Sequence, residues 1–114
     1  MVVKAKGRYL RISAMKLRKV MKVIKRMSVN QALANLKLVP NKGAKMLYKV
    51  IFSAVSNYKS LYPNENVKDW QFELLSVDEG PAFRRMMPRA RGRADIIRRQ
   101  TAHVNVFIKP IDNK

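Results

Sequence analysis

The sequence predicts an α+β fold in which three helices pack on a small antiparallel three-stranded sheet, and a long β-hairpin projects from that sheet. Two patterns predict this architecture. Apolar residues recur at helical spacing in one half of the chain and alternate with polar residues in three short segments, which gives the order β-α-α-α-β-β. An arginine-rich segment without sustained apolar alternation separates the last two strands. If those strands pair, the segment between them must form an extended hairpin.

The first strand is predicted where Leu10 and Ile12 alternate with Tyr9 and Arg11. Ser13 follows as a helix N-cap, because its hydroxyl can accept a hydrogen bond from an amide of the first turn. The first helix is predicted over residues 14–26, with two distinct faces. The apolar face comprises Leu17, Val20, Met21 and Ile24, and the basic face comprises Lys16, Lys19, Lys22 and Arg26.

Two further helices are predicted. Ser28 and Gln31 have the spacing of a capping box, which opens a short second helix before the break at Pro40-Asn41. The apolar residues of this helix are Ala32, Leu33 and Leu36. The third helix is predicted from Lys42 to about Tyr62. Its apolar stripe, expected to form the centre of the core, is Ala44, Leu47, Ile51, Ala54, Tyr58 and Leu61.

The last two strands are predicted from alternation, with Trp70, Phe72 and Leu74 inward in one and Val104, Val106 and Ile108 inward in the other. Because Trp70 alternates in step with Phe72 and Leu74, we expect its side chain to lie in the core and not to stack on a nucleic-acid base. The hairpin, residues 78–103, holds seven of the eleven arginines, and its turn is expected near Pro88–Arg93. We therefore expect one domain, residues 1–114, with a globular body at 1–77 and 104–114.

Charge is the most unusual property of the composition. The chain carries 25 Lys and Arg against 7 Asp and Glu, a net charge of +18. Residues 1–26 hold ten basic groups and no acid, whereas residues 65–83 hold five acids and one lysine. Such self-repulsion opposes compaction unless a polyanion neutralises it. Nucleic acid is the expected polyanion, because contacts to its phosphates release condensed counterions.

Several classes of function are disfavoured. The chain contains no cysteine, which removes disulfides and thiolate sites. His103 is the single histidine, and Asp78 and Glu79 point to opposite faces of a strand, so we predict no catalytic residue, metal site or cofactor. No apolar run reaches the ~18 residues that span a bilayer, so a soluble chain is expected. A basic DNA-binding or architectural protein and a small RNA-processing enzyme are the alternatives to an RNA-binding structural protein.

The hairpin carries a recognisable series of motifs. Val77-Asp78-Glu79-Gly80-Pro81, Arg84-Arg85, the stretch from Pro88 to Asp95 and Thr101-Ala102-His103 resemble the hairpin of the large-subunit ribosomal protein L twenty-two family, bacterial type. The opening Tyr9–Ser13 and the segment Asn41–Ala44 are also similar to that family, so the resemblance covers nearly the whole chain. The sequence departs from the family at three positions of the returning arm: Ile96, Gln100 and Ala102.

The resemblance implies a structural constituent of the large ribosomal subunit that binds 23S-type rRNA, assists its assembly and lines the polypeptide exit tunnel with its hairpin tip. The RNA-binding residues it implies, together with the charge pattern, are Lys4, Lys6, Arg8, Arg11, Lys16, Arg18, Lys42, Arg84, Arg85, Arg89, Arg91, Arg93, Arg98 and Arg99. The tunnel tip comprises Met86, Met87, Pro88, Arg89, Ala90, Arg91 and Gly92.

The same resemblance implies the partners and the location. Neighbouring large-subunit proteins and the nascent polypeptide at the tunnel wall are expected to contact the chain. A membrane and a second copy of the chain are not expected as partners. The location implied is cytoplasmic and ribosome-bound, with an organellar ribosome left open as the alternative.

Overall fold

The structure, a computed structural model, describes residues 2–81, 83–88 and 94–111. Within these residues the elements are β1 (Val3–Leu10), α1 (Ala14–Ile24), α2 (Val29–Leu38), α3 (Lys42–Leu61), β2 (Trp70–Glu79), β3 (Phe83–Pro88), β4 (Ala94–Arg99) and β5 (Ala102–Pro110). Three strands form an antiparallel sheet in the order β1-β5-β2, and β3 pairs with β4 in a separate two-stranded ribbon. The predicted α+β class is confirmed.

Side chains that satisfy free backbone amides define the beginning of each helix. Ser13 Oγ accepts a hydrogen bond from the amide of Lys16 at 3.4 Å, and Asn41 Oδ1 accepts one from the amide of Ala44 at 2.8 Å. The predicted capping box is present, with Ser28 and Gln31 each bonded to the other's backbone amide at 3.3 Å. Local sequence therefore determines where the helices start.

The core lies between the three helices and one face of the sheet. Strand β5 is central, and its residues alternate between buried and half-buried from Ala102 to Lys109. Helix α3 packs against β1 and β5, α1 packs against β2, and α2 packs against α3. The largest fully buried side chains are Tyr58, Leu17, Ile24, Leu36, Leu47, Ile51, Ile108, Val29, Val104 and Val106. All three helices therefore cover the same side of the sheet.

The first strand differs from its prediction. It spans Val3–Leu10, with Val3 and Ala5 facing the core, so the prediction of a strand centred on residues 9–12 is wrong. Tyr9 adopts a φ of 55° where the pairing with β5 shifts register, and Ile12 N–H donates to Leu10 O at 2.8 Å. These features end the strand at Leu10. Ile12 is buried, but it lies after the end of the strand.

Strand β2 contains a bulge that the alternation in the sequence did not reveal. Phe72 pairs with Ile108 and Leu74 with Phe107, so Glu73 is the extra residue. The bulge reverses the phase of the strand, because two residues of β2 then oppose one of β5. Leu74 is consequently 45% exposed, whereas Leu75 and Val77 are buried. The predicted inward position of Leu74 is therefore wrong, and that of Trp70 is confirmed.

Smaller differences occur at two helix ends. Helix α1 ends at Ile24 instead of residue 26, since Ser28 must be extended to cap α2. Helix α3 ends at Leu61, close to the predicted position. Leu61 itself is 65% exposed because it lies past the end of the sheet-facing stripe, which closes at Tyr58.

The predicted hairpin appears as the ribbon of β3 and β4, which continues from the pairing of β2 with β5. Gly80 N–H donates to Thr101 O at 2.9 Å, after which Phe83 pairs with Arg99 and the ladder runs out to Pro88 opposite Ala94. The molecule is 69 Å long but only 25 Å across in its second dimension. The remainder of the predicted turn, residues 89–93, lies outside the described residues.

Candidate nucleic-acid interface

A basic row lies along β1 on the side of the sheet away from the helices. Val3 and Ala5 face the core, and the period of two in a strand therefore places Lys4 and Lys6 on the opposite side, where both are exposed. Arg8 is exposed as well, at the start of the register shift. The sheet thus presents three of the predicted RNA-binding residues together.

A second basic surface lies on α1, in the helical layer of the fold. Lys16 and Arg18, two of the predicted RNA-binding residues, are exposed there. Four neighbours that were not included in the predicted site are exposed on or just beyond the same helix: Lys19, Lys22, Lys25 and Arg26. The helical spacing of the basic face was the signal that identifies them, since the buried positions of α1, which are Ala14, Leu17, Met21 and Ile24, lie on another face of the helix.

Two predicted RNA-binding residues also form hydrogen bonds within the protein. Arg18 Nη2 donates to Val77 O at 2.9 Å, which ties α1 to β2. Lys42 Nζ donates to Arg11 O at 2.9 Å, which joins the start of α3 to the segment after β1. A guanidinium has five N–H donors and an ammonium three, so each side chain keeps donors for an external acceptor.

The acidic residues of the body are occupied mainly by neutral donors. Glu65 accepts from Tyr58 Oη at 2.5 Å, Asp69 accepts from two backbone amides, and Asp78 accepts from Asn105 Nδ2 at 3.0 Å. Within the part of the chain that the structure describes, one ion pair is formed, between Lys109 and Glu73 at 2.8 Å. The cations of β1 and α1 are therefore not neutralised by the described acids. Burial and the Glu65 hydrogen bond raise the pKa of Tyr58 to about 12.

The base of the ribbon is a packed junction built around His103. Its Nδ1 accepts a hydrogen bond from the Tyr9 amide at 3.1 Å, and the two rings meet edge to face with centroids 4.9 Å apart. Thr101 is buried and its Oγ1 donates to Pro81 O at 2.6 Å. His103 therefore packs and accepts a hydrogen bond where the hairpin rejoins the sheet.

The ribbon brings basic residues of two chain segments to the same level. In the backbone register, Arg84 is opposite Arg98 and Phe83 is opposite Arg99, with Arg85 next to the first pair. Met86, Met87 and Pro88 occupy the outer end of β3. The other predicted tip and RNA-binding residues, Arg89, Ala90, Arg91, Gly92 and Arg93, lie outside the described residues.

Among the described residues, no group of three or more His, Cys, Asp or Glu side chains has the arrangement of a metal site. No helix in that part of the chain is both long enough and apolar enough to span a membrane. The main feature of the described surface is therefore the set of cations on β1 and α1 that form no ion pair with a described acid.

A small basic α+β body that carries a two-stranded basic ribbon is the architecture of a protein that associates with a polyanion. Comparison with known proteins agrees. Residues 5–109 match the family model described as ribosomal protein L22p/L17e. The chain is 44% identical over 109 residues to large ribosomal subunit protein uL22 of Maridesulfovibrio salexigens, covering 96% of this chain and 98% of that protein.

Two further relatives give the same result. The uL22 protein of Roseiflexus castenholzii is 43% identical over 111 residues, covering 95% of each chain. That of Akkermansia muciniphila is 44% identical over 108 residues, covering 95% of this chain and 96% of that protein. The chain belongs to the ribosomal protein L22p/L17e family, whose members are structural, non-enzymatic proteins of the ribosome.

Proposed function

We propose that this protein binds large-subunit rRNA of the 23S type, helps that RNA to assemble, and reaches the wall of the polypeptide exit tunnel with its hairpin tip. The observation that carries the proposal is the set of cations on β1 and α1 that no described acid neutralises. Phosphates are the complementary groups, since lysine and arginine bind them with charge-assisted hydrogen bonds. The family membership supplies the ribosomal context.

The two parts of the chain have different roles in this proposal. The body, residues 1–77 and 104–114, anchors the protein through Lys4, Lys6, Arg8, Arg11, Lys16, Arg18 and Lys42. The hairpin, residues 78–103, carries the arginines at 84, 85, 89, 91, 93, 98 and 99 along RNA, and its tip from Met86 to Gly92 meets the nascent polypeptide. Neighbouring large-subunit proteins complete the surroundings of a ribosome-bound monomer.

A salt titration of binding to large-subunit rRNA tests the anchoring role. The logarithm of the affinity should fall linearly with the logarithm of the salt concentration, with a slope of about −0.7 to −0.9 for each phosphate contacted. Lys6→Gln should make this slope shallower by the amount that corresponds to about one phosphate contact. Lys109→Gln is the matched control, because it removes the same charge from a side chain already paired with Glu73 at 2.8 Å. A flat salt dependence of the unmodified protein would contradict the proposal.

A second experiment separates the tip from the body. Deletion of Met86–Pro88 removes residues at the end of a ribbon whose strands pair only with each other. The body should therefore fold and join the large subunit, while susceptibility to macrolide antibiotics or the response to stalling peptides changes. Leu47→Ala, in the fully buried core, should instead reduce incorporation. The occupancy of each variant in purified large subunits measures its incorporation. A tip deletion that abolishes incorporation, while Leu47→Ala assembles normally, would overturn this division of roles.

A further inference from the structure

The side of the sheet that faces away from the helices, here called the open sheet face, is not covered by any described element. Its central strand β5 contributes Asn105 and Phe107, which are half-buried between their neighbours, while Val104 and Val106 point into the core. In the register, Phe107 lies beside Lys4 of β1 on one side and Leu74 of β2 on the other. The next row, about 6.6 Å along the strands, places Asn105 beside Lys6.

The charge on the open sheet face changes sign from one edge to the other. Lys4 and Lys6 line the β1 edge, and neither forms an ion pair with a described acid. The β2 edge, about 10 Å away at two strand spacings, carries Glu73 and Asp78, with Lys109 of β5 already paired to Glu73. A phosphate chain is therefore attracted along β1, whereas along β2 it meets carboxylates and no described cation that is free of an ion pair.

The middle of this face is apolar and aromatic. Leu74 is 45% exposed because of the bulge in β2, and the Phe107 ring lies between it and the Lys4 side. Phe107 also borders an open groove of about 680 Å³ between β1 and the end of α3, whose other walls include Val2, Lys4 and Leu61. Val2 and Leu61 are 51% and 65% exposed. A half-buried aromatic residue next to a row of exposed lysines can bind unpaired nucleotides, because bases stack on the ring and phosphates follow the cations.

We propose, on the basis of the RNA binding proposed above, that the open sheet face binds a single-stranded RNA segment. Its phosphates lie along Lys4 and Lys6, and an unpaired base stacks on Phe107 and extends toward the groove. A duplex fits less well for two reasons. Its bases are already stacked within the helix, and its second phosphate chain would approach Glu73 and Asp78.

Binding of a short oligouridylate to the full chain tests this assignment. Phe107→Leu keeps an apolar side chain but removes the aromatic face, and it should weaken oligouridylate binding by about five- to a hundredfold. The salt dependence should stay unchanged because no charge is altered. Lys6→Gln should reduce the salt slope by about 0.7. An RNA duplex of equal length should bind more weakly than the oligouridylate, and Phe107→Leu should leave its affinity unchanged.

Phe52→Leu is the matched control, since Phe52 is an aromatic residue that is 53% exposed on α3. It should leave oligouridylate binding unchanged. In the unmodified protein, which requires no variant to fold, the amide resonances of residues 4, 6, 105 and 107 should shift on addition of the oligouridylate. The assignment is overturned if these resonances stay in place, or if Phe107→Leu and Phe52→Leu have equal effects. Retained rRNA binding in that case would leave the broader proposal standing, whereas loss of all RNA binding would refute both.

Discussion

Gly80 lies at the junction where β2 leaves the sheet for the ribbon, and the structure leaves no space for a side chain there. A Cβ at this position would be 2.5 Å from Thr101 Oγ1 and 3.1 Å from His103 Nε2. The Thr101 hydroxyl cannot move without consequence, because Thr101 is 3% exposed and donates to Pro81 O at 2.6 Å. Gly80→Ala should displace this hydroxyl and leave buried polar groups unpaired, which costs about 1–3 kcal/mol of unfolding free energy.

Urea unfolding followed by tryptophan fluorescence measures this effect, because Trp70 is the single tryptophan and is 3% exposed. Gly43→Ala is the matched control. Its Cβ would be 3.3 Å from Ile12 Cδ1, the far end of a flexible side chain, and alanine is favoured over glycine in a helix by up to ~1 kcal/mol. We expect Gly43→Ala to be neutral or stabilising.

A double-variant cycle identifies the responsible contact. Thr101→Ala removes Oγ1, so Gly80→Ala should cost at least ~0.5 kcal/mol less in that background than in the unmodified chain. The contact of the new Cβ with His103 Nε2 at 3.1 Å remains, so part of the cost should persist. Equal costs in the two backgrounds would refute the assignment of the effect to the Thr101 hydroxyl.

Three further predictions concern the body and the ribbon. Ile51→Ala should lower the unfolding free energy by about 2–5 kcal/mol in urea unfolding, because Ile51 is fully buried, whereas Phe52→Ala, next to it but 53% exposed, should cost much less. Tyr58 should ionise near pH 12 in a titration followed by tyrosinate absorbance, since burial and its bond to Glu65 raise its pKa to about 12, and Tyr58→Phe should remove this step. The stability that the neutral phenol contributes should be complete below about pH 10 and be lost between about pH 10 and 12. In the free protein the amides of β3 and β4 should exchange with solvent faster than those of α3 until RNA is added, because an isolated two-stranded ribbon is marginally stable; equal protection would contradict this expectation.

The local sequence determined most of the helical layer. The start of α2 follows from Ser28 and Gln31, which satisfy each other's amides at 3.3 Å. The bounds of α3 were predicted to within one residue, because a long apolar stripe with a cap before it and Pro63 after it leaves few alternatives. These features depend on residues three or four positions apart, and the sequence contains that information directly.

The basic character of the candidate site was also readable from the sequence, but its arrangement was not. The alternation of lysines with Val3 and Ala5 placed Lys4 and Lys6 on one face only once the strand was known to run from Val3 to Leu10. The cations of α1 beyond Arg18 were visible as a helical face, and the structure shows that they are exposed on a second basic surface together with Lys16 and Arg18.

By itself the sequence determined the fold class, the order of the elements, the excess of positive charge and the presence of an arginine-rich hairpin. Tertiary structure alone decided the bulge at Glu73, the outward position of Leu74, the φ of 55° at Tyr9 and the backbone bond that Arg18 makes to Val77. These features depend on how strands distant in the sequence pair and on which helix lies against them. Alternation along one strand carries no record of an extra residue opposite its partner, so the side chains exposed on the open sheet face became known only when the strands were paired.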